Sequence, residues 1–71
     1  MDNNLKQLIE SNIESNFILG LTILLNSDKS KKNKIQILEN ASVFYGIKYL
    51  RTQSLNNRIR LDLLSNLIKE I

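Results

Sequence analysis

The side chains that most often perform catalysis are scarce in this chain of 71 residues, which contains no cysteine and no histidine. Glu10 and Glu14 are one helical turn apart, so their carboxylates would share a helix face. Two carboxylates alone are insufficient for a metal site or an acid–base pair, and no glycine-rich phosphate-binding loop accompanies them. We therefore expect no catalytic residues, no cofactor and no metal, and a function that depends on binding.

A cluster of basic residues could bind a negatively charged partner. Four of them lie within six residues of one polar segment: Lys29, Lys31, Lys32 and Lys34. These ammonium groups could contact phosphates, or they could simply keep a turn solvated. No aromatic residue is interleaved among them, so a base-stacking surface is not indicated. The net charge of +3 is compatible with nucleic acid, but we favour a protein partner.

The length of the chain limits how it can be stabilised. A domain of 71 residues is at the margin of burying enough apolar surface to fold alone. Disulfides are excluded without cysteine, and structural zinc is not expected without cysteine or histidine. Self-association is the remaining means of stabilisation, and the hydrophobic content of 42% favours it. We therefore predict a homodimer.

The spacing of apolar residues predicts helices along most of the chain. The predicted helices run from about Asn4 to Leu25, from Lys32 to Arg51 and from Leu55 to Ile71. We expect an all-α fold of two to three helices, in which a hairpin precedes a C-terminal amphipathic helix. The whole chain, 1–71, would form a single small domain. No apolar stretch approaches the roughly 20 residues that a membrane span needs, so we predict a cytoplasmic protein without membrane contact.

The second predicted helix has two apolar faces. The wide face includes Leu38 and Tyr45, and the second face, formed by Val43, Ile47 and Leu50, is roughly opposite. A helix with two apolar faces is expected to be covered on both, either by the neighbouring helices or by a second protomer.

The first predicted helix carries an asparagine, Asn16, within its apolar arc. A buried asparagine at a symmetric interface would pair with its counterpart and fix the register of a dimer. Alternatively, this end of the helix frays and the amide meets water. The expected dimer core consists of Asn16, Leu19, Ile23, Leu38, Phe44 and Tyr45.

The third predicted helix presents arginines beside a broad apolar face. Arg60 lies within that face, where it would either pair with a carboxylate of a partner or extend to solvent. Arg58 and Asp62 have i, i+4 spacing and are expected to form a solvated surface pair. The expected partner-binding residues are Arg58, Arg60, Asp62, Leu64, Leu67 and Ile68.

The segment from Asn57 to Ile68 is a basic amphipathic C-terminal helix in a short helical chain. It resembles the coat-binding segment of small internal scaffolding (capsid-size-determining) proteins of phages and phage satellites. The resemblance implies a dimer that binds a viral coat protein and directs capsid assembly or size in the host cell cytoplasm. It also implies that Arg58 and Arg60 would meet coat carboxylates while Leu64 and Ile68 pack against the coat.

A second resemblance lies at Ser42–Ile47 followed by Leu55, which is similar to a helix-turn-helix motif. It implies a small dimeric DNA-binding regulator whose second helix enters the major groove. The residues that would then face DNA are Asn56, Asn57, Arg58 and Arg60. A phage-encoded inhibitor of a host protein is a further alternative, and the sequence does not separate it from a scaffolding protein.

Overall fold

A computed structural model describes residues 3–71, and every regular element in that range is a helix. The four helices are α1 (Asn3–Ile9), α2 (Glu14–Leu25), α3 (Lys31–Thr52) and α4 (Leu55–Glu70). They belong to two compact units: unit 1, which ends at Ser30, and unit 2, Lys31–Ile71. The prediction of an all-α fold is confirmed, whereas the prediction of two to three helices is wrong. The single domain expected over 1–71 stays a prediction.

Local hydrogen bonds of polar side chains interrupt the first predicted helix. The Ile13 N–H donates to the Ser11 Oγ over 3.0 Å, and the Asn16 Nδ2 donates to the same oxygen over 3.4 Å. Serine and asparagine compete in this way with the helical hydrogen bonds of the backbone. The Ile13 carbonyl then accepts the N–H groups of Asn16 and Phe17, both at 3.1 Å, where α2 begins. The predicted single helix from Asn4 to Leu25 is therefore two helices.

Within unit 1, α1 packs against α2 because Gly20 lets the two helices approach closely. A Cβ atom at position 20 would lie 2.8 Å from the Ile9 Cγ1 and 3.0 Å from the Leu8 Cβ. The absence of a side chain at this point is therefore a condition of the packing. The buried apolar residues of these helices are Leu5, Ile9, Phe17, Leu21 and Leu24.

We expect the substitution Gly20→Ala to destabilise the protein by about 1–3 kcal/mol, because the added methyl group overpacks the contact with Ile9. The free energy of unfolding from urea denaturation, followed by circular dichroism, measures the effect. Ser15→Ala is the matched control, since Ser15 is an exposed residue of the same helix. Equal stability of the two variants would show that α1 does not pack on Gly20.

In unit 2, α3 and α4 pack together as a helical hairpin. The predicted bounds of both helices are confirmed to within one residue at each end. On α3 the buried residues are Leu38, Ala41 and Tyr45, which recur at helical spacing along one face, and on α4 Leu64 is completely buried. The wide apolar face of the second predicted helix is thus the face that packs, because it carries the largest continuous apolar surface.

The turn between α3 and α4 is organised by the hydroxyl of Thr52. This hydroxyl donates to the Lys48 carbonyl over 2.8 Å and accepts the Ser54 N–H at 3.3 Å. It also accepts the Asn57 Nδ2 at 3.1 Å, which ties the start of α4 to the end of α3. Between these residues Gln53 has a φ of 55°, a left-handed conformation that residues with a Cβ rarely adopt.

We expect Gln53→Gly to stabilise the protein by about 0.5–1 kcal/mol, because glycine adopts positive φ without the steric cost of a Cβ. The same change at Gln36, inside α3, is the control and should lower stability by about 1 kcal/mol. Thermal and urea unfolding of both variants measure the two effects. A loss of stability at position 53 would show that the turn does not require the left-handed conformation.

Candidate partner-binding surface

The six residues expected to bind a partner divide into two groups in the structure. Leu64 is completely buried, and Arg60, Leu67 and Ile68 are half-buried. Only Arg58 and Asp62 are exposed. Leu64 is therefore not accessible on the surface of the single chain, because α4 turns this side towards α3.

Arg60 is held by a tyrosine of the neighbouring helix. Its Nη1 donates to the Tyr45 Oη over 2.9 Å, and its guanidinium carbon lies 5.4 Å from the centre of the Tyr45 ring. Tyr45 is completely buried, so its hydroxyl requires a hydrogen-bond partner inside the hairpin. Neither sequence interpretation of Arg60, a partner's carboxylate or open solvent, included this contact within the chain. The sequence did indicate such a contact, because Tyr45 lies on the wide apolar face and its hydroxyl needs a hydrogen-bond partner when it is buried.

We expect Tyr45→Phe to destabilise the protein by about 1–2 kcal/mol, because it removes the acceptor for a charged donor inside the hairpin. Tyr49→Phe is the matched control: Tyr49 is half-buried, and the nearby Arg58 is exposed. Its effect should be clearly smaller. Urea unfolding of the two variants compares the effects, and equal losses would contradict a structural role for the Tyr45 hydroxyl.

Arg58 and Asp62 form the solvated surface pair that the sequence predicted. The Arg58 Nε lies 3.3 Å from the Asp62 Oδ1, and the two side chains are 53% and 62% exposed. The Arg58 guanidinium carbon also lies 5.7 Å from the centre of the Tyr49 ring. A hydrogen bond with Tyr49, followed by the charge of Asp62, raises the pKa of Arg58 above its usual value. Arg58 is therefore a fixed positive charge held in place at the surface.

Two apolar side chains stand beside this pair on the outside of α4. Leu55 is 70% exposed and Ile59 is 54% exposed. Their spacing with Arg58 and Asp62 is i, i+3, i+4 and i+7, which places all four on one helix face. We call these four residues the outer α4 surface. Neither Leu55 nor Ile59 was among the partner-binding residues expected from the sequence. The i, i+4 spacing of these two apolar residues at the start of the helix was the available signal.

The residues expected in a dimer core occupy different depths. Leu38 and Tyr45 are completely buried within the single chain, and Phe44 and Asn16 are half-buried. Asn16 takes part in the turn before α2 through Ser11. Two members remain about half exposed, Leu19 at 49% and Ile23 at 46%.

The features that suggested nucleic-acid binding are found mainly in α3. Lys31, Lys32 and Lys34 lie in the first turns of α3, where a positive charge is unfavourable next to the positive end of the helix dipole. The segment Ser42–Ile47, which carries the helix-turn-helix resemblance, lies entirely within α3. The chain instead turns at Gln53–Ser54, between α3 and α4.

Comparison of the chain with protein-family models, curated proteins and solved structures gave no match. The resemblance to scaffolding proteins therefore stays a prediction. In the described part of the chain, no group of three or more acidic, histidine or cysteine residues could hold a metal ion. Within the same residues, no helix is both long and apolar enough to cross a membrane.

Proposed function

We propose that this chain is a non-enzymatic, cytoplasmic protein-binding module that acts as a homodimer and binds a protein partner through the outer α4 surface. The exposure of Leu55 and Ile59 beside the Arg58–Asp62 pair is the observation that carries the proposal. Clustered apolar side chains rimmed by charges are typical of protein interaction sites. Of the residues expected to meet the partner, Arg58 and Asp62 keep that role.

The remaining residues of α4 hold this surface in place. Leu64 anchors the helix in the hairpin, and Arg60 ties it to the buried Tyr45 of α3. A binding helix that is already fixed loses less conformational freedom when a partner docks. Arg60 and Leu64 thus support binding indirectly, by fixing the direction in which α4 presents its outer residues.

The exposed guanidinium of Arg58 beside Leu55 and Ile59 would suit a partner that has a carboxylate next to an apolar groove. Arg58 is exposed and cationic, so a carboxylate of a partner could share the guanidinium with Asp62. The sharpest form of the proposal is an internal scaffolding protein that binds a viral coat protein and directs capsid assembly or size. The helical fold and the arginines of α4 support that form.

The small size of each unit supports the homodimer. Unit 1 ends at Ser30 and unit 2 is Lys31–Ile71, so each contains only one pair of helices. A domain of about 40 residues or fewer rarely buries enough apolar surface to be stable by itself. Association of two chains would add the missing apolar contact.

Site-specific photo-crosslinking in the cells that express the chain tests the partner surface. We expect a benzoyl-phenylalanine at position 59 to capture one defined protein, because Ile59 is exposed at the centre of the outer α4 surface. The same group at position 15, an exposed site on α2, is the control. Arg58→Ala should weaken the capture at position 59 by about tenfold, as expected for an interface charge. Equal products from positions 59 and 15 would contradict a specific surface on α4.

DNA binding is the second candidate function, favoured by the basic residues Lys48, Arg51 and Arg58 near the α3–α4 turn. Fluorescence anisotropy with random duplex DNA at low and moderate salt separates it from protein binding. We expect no binding at micromolar protein concentration. Tight binding that falls steeply with salt would favour a nucleic-acid partner, since counterion release dominates such contacts.

A further inference from the structure

The second apolar face of α3 is exposed along its length. Val43 is 61% exposed, Ile47 is 48% exposed and Leu50 is 74% exposed. Their i, i+4, i+7 spacing aligns them on the side of α3 away from Tyr45, which contacts α4. We call these three residues the α3 stripe. In the single chain this stripe is open to solvent, although the sequence predicted that it would be covered.

A glycine in the same helix face has no explanation within the chain. Gly46 lies in the interior of α3, where glycine weakens a helix relative to alanine. A Cβ atom at position 46 would have no atom within 4 Å, in contrast to Gly20, which α1 approaches closely. Gly46 is three residues after Val43 and four before Leu50, so it borders the α3 stripe. The open space at Gly46 is therefore next to the apolar side chains.

We propose that the α3 stripe is the surface through which two copies of this chain associate, with the two α3 helices in close contact at Gly46. This inference rests on the proposed homodimer and specifies its surface. A two-fold interface places the same patch of each copy in contact, so charged residues of one sign in the patch would repel each other. Val43, Gly46, Ile47 and Leu50 carry no charge, and a second copy meets no like-charge repulsion there.

The area of the stripe agrees with a dimer of modest affinity. Three large side chains at about half to three-quarters exposure, taken on two copies, amount to an apolar area on the order of 600 Å². A specific, stable interface buries at least about 1,200 Å² in total. The α3 stripe alone therefore reaches about half of that area, which places the contact among weak, reversible associations. We therefore expect a dissociation constant in the micromolar range.

Sedimentation equilibrium of the full chain over a roughly hundredfold range of concentration tests the surface. We expect the native chain to dimerise and Ile47→Ser to weaken the dimer by at least about tenfold. Leu55→Ser is the matched control, because Leu55 is equally large and 70% exposed but lies on α4. Its dimer should have the native dissociation constant. A dimer unaffected by Ile47→Ser would overturn this surface while leaving the homodimer intact, and a native chain that stays monomeric would overturn both.

Gly46→Ala provides a second test that does not depend on loss of stability. In the monomer the methyl group has free space and improves helix propensity, so the melting temperature of dilute protein should rise. In the dimer the same methyl group would separate the two helices, and the dissociation constant should rise by about tenfold or more. Opposite signs of the two effects support close contact at Gly46. A Gly46→Ala dimer as tight as the native one, or tighter, would overturn it.

Discussion

The constraint on which this structure depends is that a pair of helices can bury only one face of each helix. In the α3–α4 hairpin that face contains Leu38, Ala41 and Tyr45 on one side and Leu64 on the other. An apolar residue outside that face is left uncovered by the hairpin itself. The chain is rich in leucine and isoleucine, so its two-helix units leave large apolar side chains exposed on α2, α3 and α4. The proposed binding surfaces consist of such exposed residues and not of a cleft.

The contact between Arg60 and Tyr45 shows how the hairpin uses a charged residue within an apolar face. An arginine there is costly unless its donors are satisfied, and a buried tyrosine is costly unless its hydroxyl is satisfied. The hydrogen bond of 2.9 Å gives the Tyr45 hydroxyl a partner and uses one of the donors of Arg60. It links the middle of α3 to the first half of α4, which fixes the rotation of α4 about its own axis. The exposed positions of Leu55 and Ile59 follow from that rotation.

The sequence predicted the elements of unit 2 well and those of unit 1 poorly, for a physical reason. In α3 and α4 apolar periodicity and backbone propensity agree, and the turn lies where the apolar pattern stops. Between Ile9 and Glu14 the apolar pattern continues, but the Ser11 hydroxyl accepts the Ile13 N–H and ends the helical ladder. Periodicity does not report such competition between side chain and backbone. For the candidate site, charge and spacing predicted the Arg58–Asp62 pair, whereas the inward direction of Arg60 and Leu64 depends on packing against α3.

The two proposed binding surfaces are compatible with each other because they lie on opposite sides of one hairpin. The α3 stripe lies on the side of α3 away from α4, and Leu55 and Ile59 lie on the side of α4 away from Arg60 and Leu64. A second copy seated on the α3 stripe would therefore leave the outer α4 surface of each chain accessible. Such a dimer would present two identical partner sites in a fixed arrangement. Two linked sites bind a repetitive partner, such as a lattice of identical subunits, more tightly than either site alone, so weak contacts at each α4 would suffice.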